Sequence, residues 1–411
     1  MARKYVLSSR LPKDLSPSPF FCQLEKSKKE VFSLGAAPGL IDLTVSSPIK
    51  VGLPAKLNLA VEKCCSEFGS WVADASGQLE TRRAVVNYYK RRGGLFTTDQ
   101  ILLTASTSEA YSILFKVFCN PGDAILTPLP GYPLLDTLAA LEHLECYPYF
   151  LQIHREPSLK KMGAEKNRFR FVLDTDSLLS APENAKILLL VSPHNPTGHC
   201  ISRQEWNQVV AFCEERNLVL VVDEVFGDYP LGDGVKRSYE YLEGTSPSCP
   251  IFWLNGLSKT VGSPQLKLGW MAMYIPEDDF EKIHEALEFV TDAYLSVSST
   301  AQALAKPLLE DSWVYEQAVL QRTSENYQYL RSKFSTKVCP EVLGGWYAAL
   351  RLANDDEQMT LDLLQKHHVL VQPGFFFDFE EDGWIVISLL QEPETFRLGV
   401  NRIFDAVQSV F

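Results

Sequence analysis

The sequence has no C-x-x-C pair, no G-x-G-x-x-G turn and no G-x-x-x-x-G-K-[ST] loop. Its longest aliphatic runs, such as Ile187 to Val191, fall far short of the ~20 residues that a membrane helix needs. Each absence removes a class of protein. The missing glycine loops argue against dinucleotide and P-loop nucleotide sites. Nine cysteines in 411 residues, two of them adjacent at Cys64 and Cys65, fit reduced core thiols better than a disulfide framework or zinc site, which points to a cytoplasmic protein. His194, His199, His367 and His368 lack carboxylates or cysteines at metal-ligand spacing, so no metal is expected and they are read as loop or helix-surface residues. Basic residues are also too few for a nucleic-acid partner, since the net charge is −12. The opening Met1-Ala2-Arg3-Lys4 leads into Pro12, Pro17 and Pro19 without the apolar stretch of a secretory signal.

What is present is an ordinary globular composition, 46% hydrophobic and 22% charged. At 411 residues the chain exceeds the size at which one core stops growing, so two domains are expected. Between about 100 and 270, short aliphatic runs alternate with helical patterns, the signature of βαβ units and a mostly parallel sheet. Strands are predicted near Ile101–Thr104, Ala124–Thr127, Ile187–Ser192, Leu218–Val222, Ile251–Asn255 and Trp270–Tyr274. A helix is predicted over 202–216, opened by a Ser202–Glu205 capping box. The polar run 154–168 reads as a solvated loop. Later the pattern changes to longer helices near 277–291, 299–309 and 313–333 and strands near 345–351 and 384–389, a second α+β domain.

Three polar groups each follow a predicted parallel strand. They are Ser192-Pro193-His194-Asn195-Pro196-Thr197-Gly198, Asp223-Glu224-Val225-Phe226, and Asn255-Gly256-Leu257-Ser258-Lys259. Ligands of open α/β sheets bind outside the carboxyl ends of strands, so the three can converge. A lysine flanked by Phe252, Trp253, Leu254 and Leu257 sits where desolvation favours its neutral, nucleophilic form. Asp223, ending an aliphatic strand, needs a cationic partner to justify burial. Taken singly, a surface lysine and a structural salt bridge explain these residues equally well. The order of the three groups is what distinguishes them.

That order resembles a fold-type I aminotransferase of the class I/II superfamily, the aspartate aminotransferase-like enzymes that use pyridoxal 5′-phosphate (PLP), from about Asp42 to the C-terminus. The resemblance implies that Asn195 hydrogen-bonds the ring phenolate oxygen, Asp223 faces the pyridinium, and Lys259 forms the Schiff base and shuttles the proton. Thr104-Ala105-Ser106-Thr107-Ser108-Glu109-Ala110 lies between a strand and an amphipathic helix, where small hydroxyl residues suit an anion. By resemblance Ser106, Thr107 and Ser108 cradle the cofactor phosphate, and Lys267 stands where the family usually has a phosphate-pairing arginine. Tyr132, in Pro128-Leu129-Pro130-Gly131-Tyr132-Pro133, is the expected ring-stacking aromatic, with a core tyrosine as the alternative. Trp71 falls near a family tyrosine that reaches the partner subunit's phosphate. The implied fold is a three-layer α/β/α large domain with a mostly parallel sheet, residues 50–285, and a smaller α+β domain from 1–49 with 286–411. A homodimer with its site at the subunit interface is implied as well, acting on an amino donor and a keto acid.

Two departures bear on chemistry. Phe226 replaces a tyrosine whose hydroxyl would bond the phenolate, so the proton affinity of the imine should rise. Val386, in Val386-Ile387-Ser388, stands where relatives carry the arginine that forks the substrate carboxylate, and Ser46 replaces a common glycine of the N-terminal substrate loop. Another cation, a set of hydroxyl and backbone donors, or a substrate lacking that carboxylate would each account for this. Phe375, Phe376, Phe377, Phe379 and Trp384 either pack in the core or line an apolar pocket. A PLP-dependent lyase, decarboxylase or synthase would need the same cofactor residues and is the alternative activity. A DNA-binding regulator with an aminotransferase-like module is disfavoured, because the ~40 residues before Asp42 show no helix-turn-helix pattern.

Overall fold

The computed structural model describes residues 8, 10–12, 16–33, 39–53, 60–62, 73–157, 167–295, 297–352 and 355–408. Trp71, Cys64 and Cys65 lie outside the described residues. After a short strand β1 (Ile41–Asp42), eight strands form the main sheet: β2 (Ile101–Thr104), β3 (Ala124–Leu129), β4 (Glu145–Pro157), β5 (Asn167–Leu173), β6 (Ala185–Val191), β7 (Val219–Asp223), β8 (Ile251–Gly256) and β9 (Gly269–Tyr274). Their spatial order is β2-β9-β8-β7-β6-β3-β4-β5. Only β9 and β5 run antiparallel to their neighbours, so the sheet is mostly parallel.

The near-continuous apolar runs that reveal these strands exist because both faces of the sheet are covered. In β6, Leu188 and Leu190 join one buried cluster while Ile187 and Leu189 join another. The alternation repeats in β7 and β8, where Val222 and Trp253 face one way and Val221 and Phe252 the other. Helices α2 (Leu79–Lys90), α5 (Arg203–Arg216) and α8 (Ser299–Glu310) cover the first face, and α3 (Thr107–Phe118), α4 (Leu134–Leu141) and α7 (Glu277–Tyr294) the second. Each large aliphatic side chain buried there contributes roughly 1.5–3 kcal/mol. Helix α5 starts as its sequence dictates: Ser202 Oγ accepts from the Glu205 amide at 3.2 Å, and Glu205 Oε2 accepts from the Ser202 amide at 2.8 Å.

The chain continues through α9 (Ser312–Lys333), β10 (Tyr347–Arg351), α10 (Asp356–His367), β11 (Val369–Leu370), β12 (Gln372–Pro373), β13 (Trp384–Ser388) and α11 (Pro393–Gln408). Strands β10, β13 and β12 form an antiparallel sheet. Its Ile385 and Ile387 face a third buried cluster with Phe396, Val400 and Ile403 of α11, while Trp384 and Val386 face the cluster of the main sheet. Helix α1 (Pro19–Ser33) packs on α10. No helix among the described residues is long and apolar enough to cross a membrane.

Three expectations need correction. Residues 154–157 and 167–168 are strand rather than loop, because β4 and β5 pair antiparallel at the sheet edge, where Arg170 of β5 meets Glu156 of β4 at 2.5 Å. Residues 158–166 lie outside the described residues. His194 and His199 lie in a loop after β6, as read, but that loop is buried and leaves them 3% and 4% exposed. His194 Nδ1 lies 2.9 Å from Thr197 Oγ1, and burial lowers its pKa to about 3. His199 Nε2 lies 3.2 Å from Glu205 Oε1, a carboxylate partner six residues along. Burial pushes the Glu205 carboxyl up, but His199, Ser202 and the Leu173 amide outweigh it and hold it at about 2. Among the cysteines, Cys200, Cys213, Cys249 and Cys339 are buried, whereas Cys22 is exposed.

A polar knot underlies the main sheet's carboxyl edge. Asp228, its side chain fully buried, accepts from Arg92 Nε at 2.9 Å, from Tyr88 Oη at 3.0 Å, and pairs with Arg237. Burial opposes ionisation, and the two guanidiniums outweigh it, so the carboxyl is held below its ordinary value. Removing one member strands the others without compensation. Asp228→Ala should therefore cost about 3–5 kcal/mol in urea unfolding at neutral pH. In the native protein this contribution is complete above the unfolded carboxyl's value, about 3.9, and is lost as pH falls through the lower folded one. A cost below about 1 kcal/mol would contradict the network.

Candidate active site

The carboxyl ends of β2, β3, β6, β7 and β8 open on one cavity of about 430 Å³. Every singled-out site residue lines it: Ser106, Thr107, Ser108, Tyr132, Asn195, Asp223, Lys259 and Lys267. Lys259 sits in the one-turn helix α6 (Leu257–Thr260) that follows β8 directly. The turn is held from below. Tyr229 Oη donates to the Lys259 carbonyl at 2.6 Å, and Asn255 Oδ1 accepts from the Gly256 amide at 2.7 Å and from Thr260 Oγ1 at 3.1 Å. Asn255 Nδ2 donates in turn to Tyr88 Oη at 3.1 Å, linking the lysine's turn to the Asp228 knot.

The Lys259 ammonium stands 5.4 Å from the ring centre of Phe226 and 5.0 Å from that of Trp346. These walls exclude water, and desolvation lowers the amine's pKa to about 8, with the Asp223 charge opposing the shift. The neutral, nucleophilic fraction thus becomes large near pH 8 rather than above pH 10. In the cofactor-free chain, reductive methylation of Lys259 should reach half its maximal rate near pH 8, against about 10.4 for an ordinary lysine. Asp223→Asn removes the opposing anion and should move that midpoint lower still. Peptide mapping after labelling at stepped pH reads both, and a wild-type midpoint near 10 refutes the desolvated site.

Asp223 ends β7, where Oδ2 accepts from Tyr111 Oη at 2.9 Å and Oδ1 from the Val225 amide at 3.0 Å. Burial still raises its proton affinity despite these bonds and Lys259. Tyr111 was not anticipated. It lies one turn beyond Thr107 on α3, so helical spacing brings its hydroxyl to the same cavity as the phosphate turn. Burial and the Asp223 charge keep that hydroxyl protonated, hence a donor.

At one end of the cavity, α3 begins with Ser106 as N-cap, its Oγ accepting from the Glu109 amide at 3.2 Å. The amides of Thr107 and Ser108 have no intrahelical acceptor by geometry, and α3's dipole adds to them, so an anion is favoured here. Lys267, exposed and in a left-handed conformation at φ 50°, lines the same cavity. Asn195 Oδ1 is buried without a partner, so that amide retains hydrogen-bonding capacity for a ligand. The loop that carries it closes on Gly198, at φ 68°, where a Cβ would meet Val342 at 2.4 Å. Tyr132 lines the cavity with 52% exposure.

The phenylalanines after Pro373 do not line it. Phe377 and Trp384 are buried and Phe379 stacks on Trp384 at 4.8 Å, which puts that part of the stretch in the core, whereas Phe375 meets Phe20 of α1 edge-on at 5.2 Å and stays 38% exposed. Val386 is fully buried and does not reach the cavity, whereas Ser46, Tyr347 and Gln372 do.

A desolvated lysine, a buried carboxylate and an anion-binding helix terminus on one α/β/α sheet edge suit a PLP-dependent transferase: the Asn195 amide in the cavity lining, whose NH2 can donate to a ring oxygen, and the carboxylate short of a cation both fit the cofactor's ring. Comparison with known proteins narrows the class. The profile of the family "Aminotransferase class I and II" matches residues 71–403, and the chain belongs to that family as an aminotransferase. It is 27% identical over 349 residues to an alanine aminotransferase of Mycobacterium tuberculosis, covering 82% of this chain and 78% of that one. It is 22% identical over 365 residues to the glutamate-pyruvate aminotransferase AlaA of Haemophilus influenzae, covering 85% and 86%. Among solved structures, an alanine aminotransferase from Pyrococcus furiosus superposes with a TM-score of 0.81 at 21% identity, covering 96% of this chain and all of that one.

Proposed function

We propose that the cavity holds pyridoxal 5′-phosphate attached at Lys259 and that the protein moves an amino group from an amino donor to a keto acid. The observation that carries this is the meeting of a desolvated Lys259, Asp223 and the Ser106–Ser108 helix terminus in one cavity. When bound, the cofactor supplies an electron sink for the carbanion formed at the substrate α-carbon. Lys259 Nζ would be the attachment point and, as a free amine, would take and return the proton at the amine-bearing carbon. Asp223, oriented by Tyr111 and the Val225 amide, holds the ring nitrogen's proton. Ser106, Thr107, Ser108 and Lys267 hold the phosphate, with Lys267 acting as a point charge where a guanidinium would fork. Asn195 would donate to the ring oxygen and Tyr132 would pack against the ring, both lining the cavity.

The wider setting belongs to the same reading. The free cysteines among the described residues accord with a cytoplasmic protein. The exposed apolar residues Phe289, Tyr294, Leu295 and Trp313 suit burial between two copies in a homodimer. The division into a large domain, 50–285, and a small one, 1–49 with 286–411, is supported by the separate cluster around β10, β13 and α11, though α8 packs against α2 of the large part.

Borohydride reduction of the protein mixed with pyridoxal 5′-phosphate, followed by peptide mapping, tests the assignment. The reduced adduct is expected on Lys259, and its appearance on other lysines alone overturns the reading.

A further inference from the structure

The cavity's charge is one-sided. Its two lining cations are Lys259, at the centre, and Lys267, at the end shared with the α3 terminus. Another part of the lining comes from β10, β12 and the residue 46 loop, and those residues are neutral. Strand register explains why. Gln372 of β12 pairs with Val386 of β13, so the two side chains share a face, and Val386 pairs in turn with Ala349 of β10. Tyr347, two residues before Ala349, projects from that same face, and with Ser46 it lines the cavity. Phe226 links this group to the reacting centre, 5.9 Å from the Tyr347 ring and 5.4 Å from the Lys259 ammonium. Val386, one neighbour further in, is fully buried and apolar.

We infer that Gln372, Tyr347 and Ser46 read the substituent beside the amine-bearing carbon through neutral hydrogen bonds, and that the amino donor is a primary amine carrying an uncharged hydroxyl or amide there. The inference rests on the Lys259 reading above. A carboxyl amide and two hydroxyls donate and accept, so they match an alcohol or amide on both counts. They lack the charge that makes a guanidinium–carboxylate fork strong. A carboxylate placed there loses hydration without gaining a counter-charge, whereas a hydroxyl or amide does not. Gln372, Tyr347 and Ser46 are thus specificity-determining residues drawn from three separate chain segments.

The test uses the holoenzyme and matched donor sets on the alanine, phenylalanine and glutamate skeletons, each as the α-acid, the α-amide and the amino alcohol. Single-turnover loss of the cofactor's visible band gives the rate and apparent affinity of each donor. On at least one skeleton the amide or alcohol should equal or exceed the acid in rate over affinity, and its affinity should be insensitive to ionic strength. A guanidinium or a cation supplied by a second copy would instead favour the acid by about 100-fold or more. An acid preference of that size on every reacting skeleton overturns the inference, and so does a panel in which no uncharged donor reacts. Gln372→Arg, at a half-buried position facing the cavity, should shift the acid-to-amide ratio at least tenfold toward the acid, and an unchanged ratio in a folded variant also overturns it. The wild-type panel decides the matter if that variant does not fold. If borohydride fails to mark Lys259, the cofactor reading itself has failed, whereas a marked Lys259 with acid preference sinks only the substrate class.

Discussion

Lys259→Ala is expected to lower amino transfer by about 10⁴-fold or more and to remove the visible band of lysine-bound cofactor. Two losses combine. The nucleophile that attaches the cofactor is gone, and so is the base that moves the proton at the substrate carbon. Neighbouring amines do not replace it, because of the two lysines that line the cavity among the described residues only Lys259 stands against Phe226 and Trp346. The fold should persist, since the alanine retains the backbone carbonyl that Tyr229 bonds, and the α6 turn is held by Asn255 and Thr260 rather than by the lysine side chain. A screen of amino donors with wild type and variant, read by visible absorbance, checks this. An alanine variant that shows the wild-type band refutes the central assignment.

Asp223→Ala is expected to lower turnover by roughly 10²–10⁴-fold, which corresponds to the about 3–5 kcal/mol typical of breaking a buried charge pair. The carboxylate is buried and its proton affinity is raised, so it is costly to keep unless it faces a cation in the working enzyme. The loss should fall mainly on kcat, because the ring nitrogen's proton matters most when charge builds on the substrate carbon. Asp223→Glu should recover part of the rate, and Tyr111→Phe should cost less than Asp223→Ala, because the Val225 amide still orients the carboxylate. Turnover of Asp223→Ala within threefold of wild type would remove Asp223 from the mechanism. Thermal unfolding of the same variants separates a folding defect from a chemical one.

These side chains were legible before the fold because each follows a strand within a few residues, in runs the chain itself keeps together. Asn195, Asp223 and Lys259 sit at the ends of β6, β7 and β8, whose aliphatic runs announce strands buried on both faces. The β4–β5 hairpin was hidden for the converse reason. An edge strand can replace apolar alternation with cross-strand charges, as Glu156 and Arg170 do, and then its pattern imitates a loop. The burial of His194 and His199 was equally invisible, since local polarity does not disclose that the fold will set them against Thr197 and Glu205.

The sequence by itself determined six of the sheet's eight strands, the order of their polar ends and the residues that suit the cofactor, because those depend on periodicity and on neighbours along the chain. Tertiary structure alone decided what surrounds them. It brought Tyr111 to Asp223, set Trp346 against Lys259, and through the pairing of Gln372 with Val386 placed a neutral amide beside a buried valine at the substrate end. Those contacts join segments more than eighty residues apart in sequence or depend on strand register, and no local pattern encodes either. The cofactor's residues are written consecutively at strand ends, whereas the substrate's are assembled only when the strands pair.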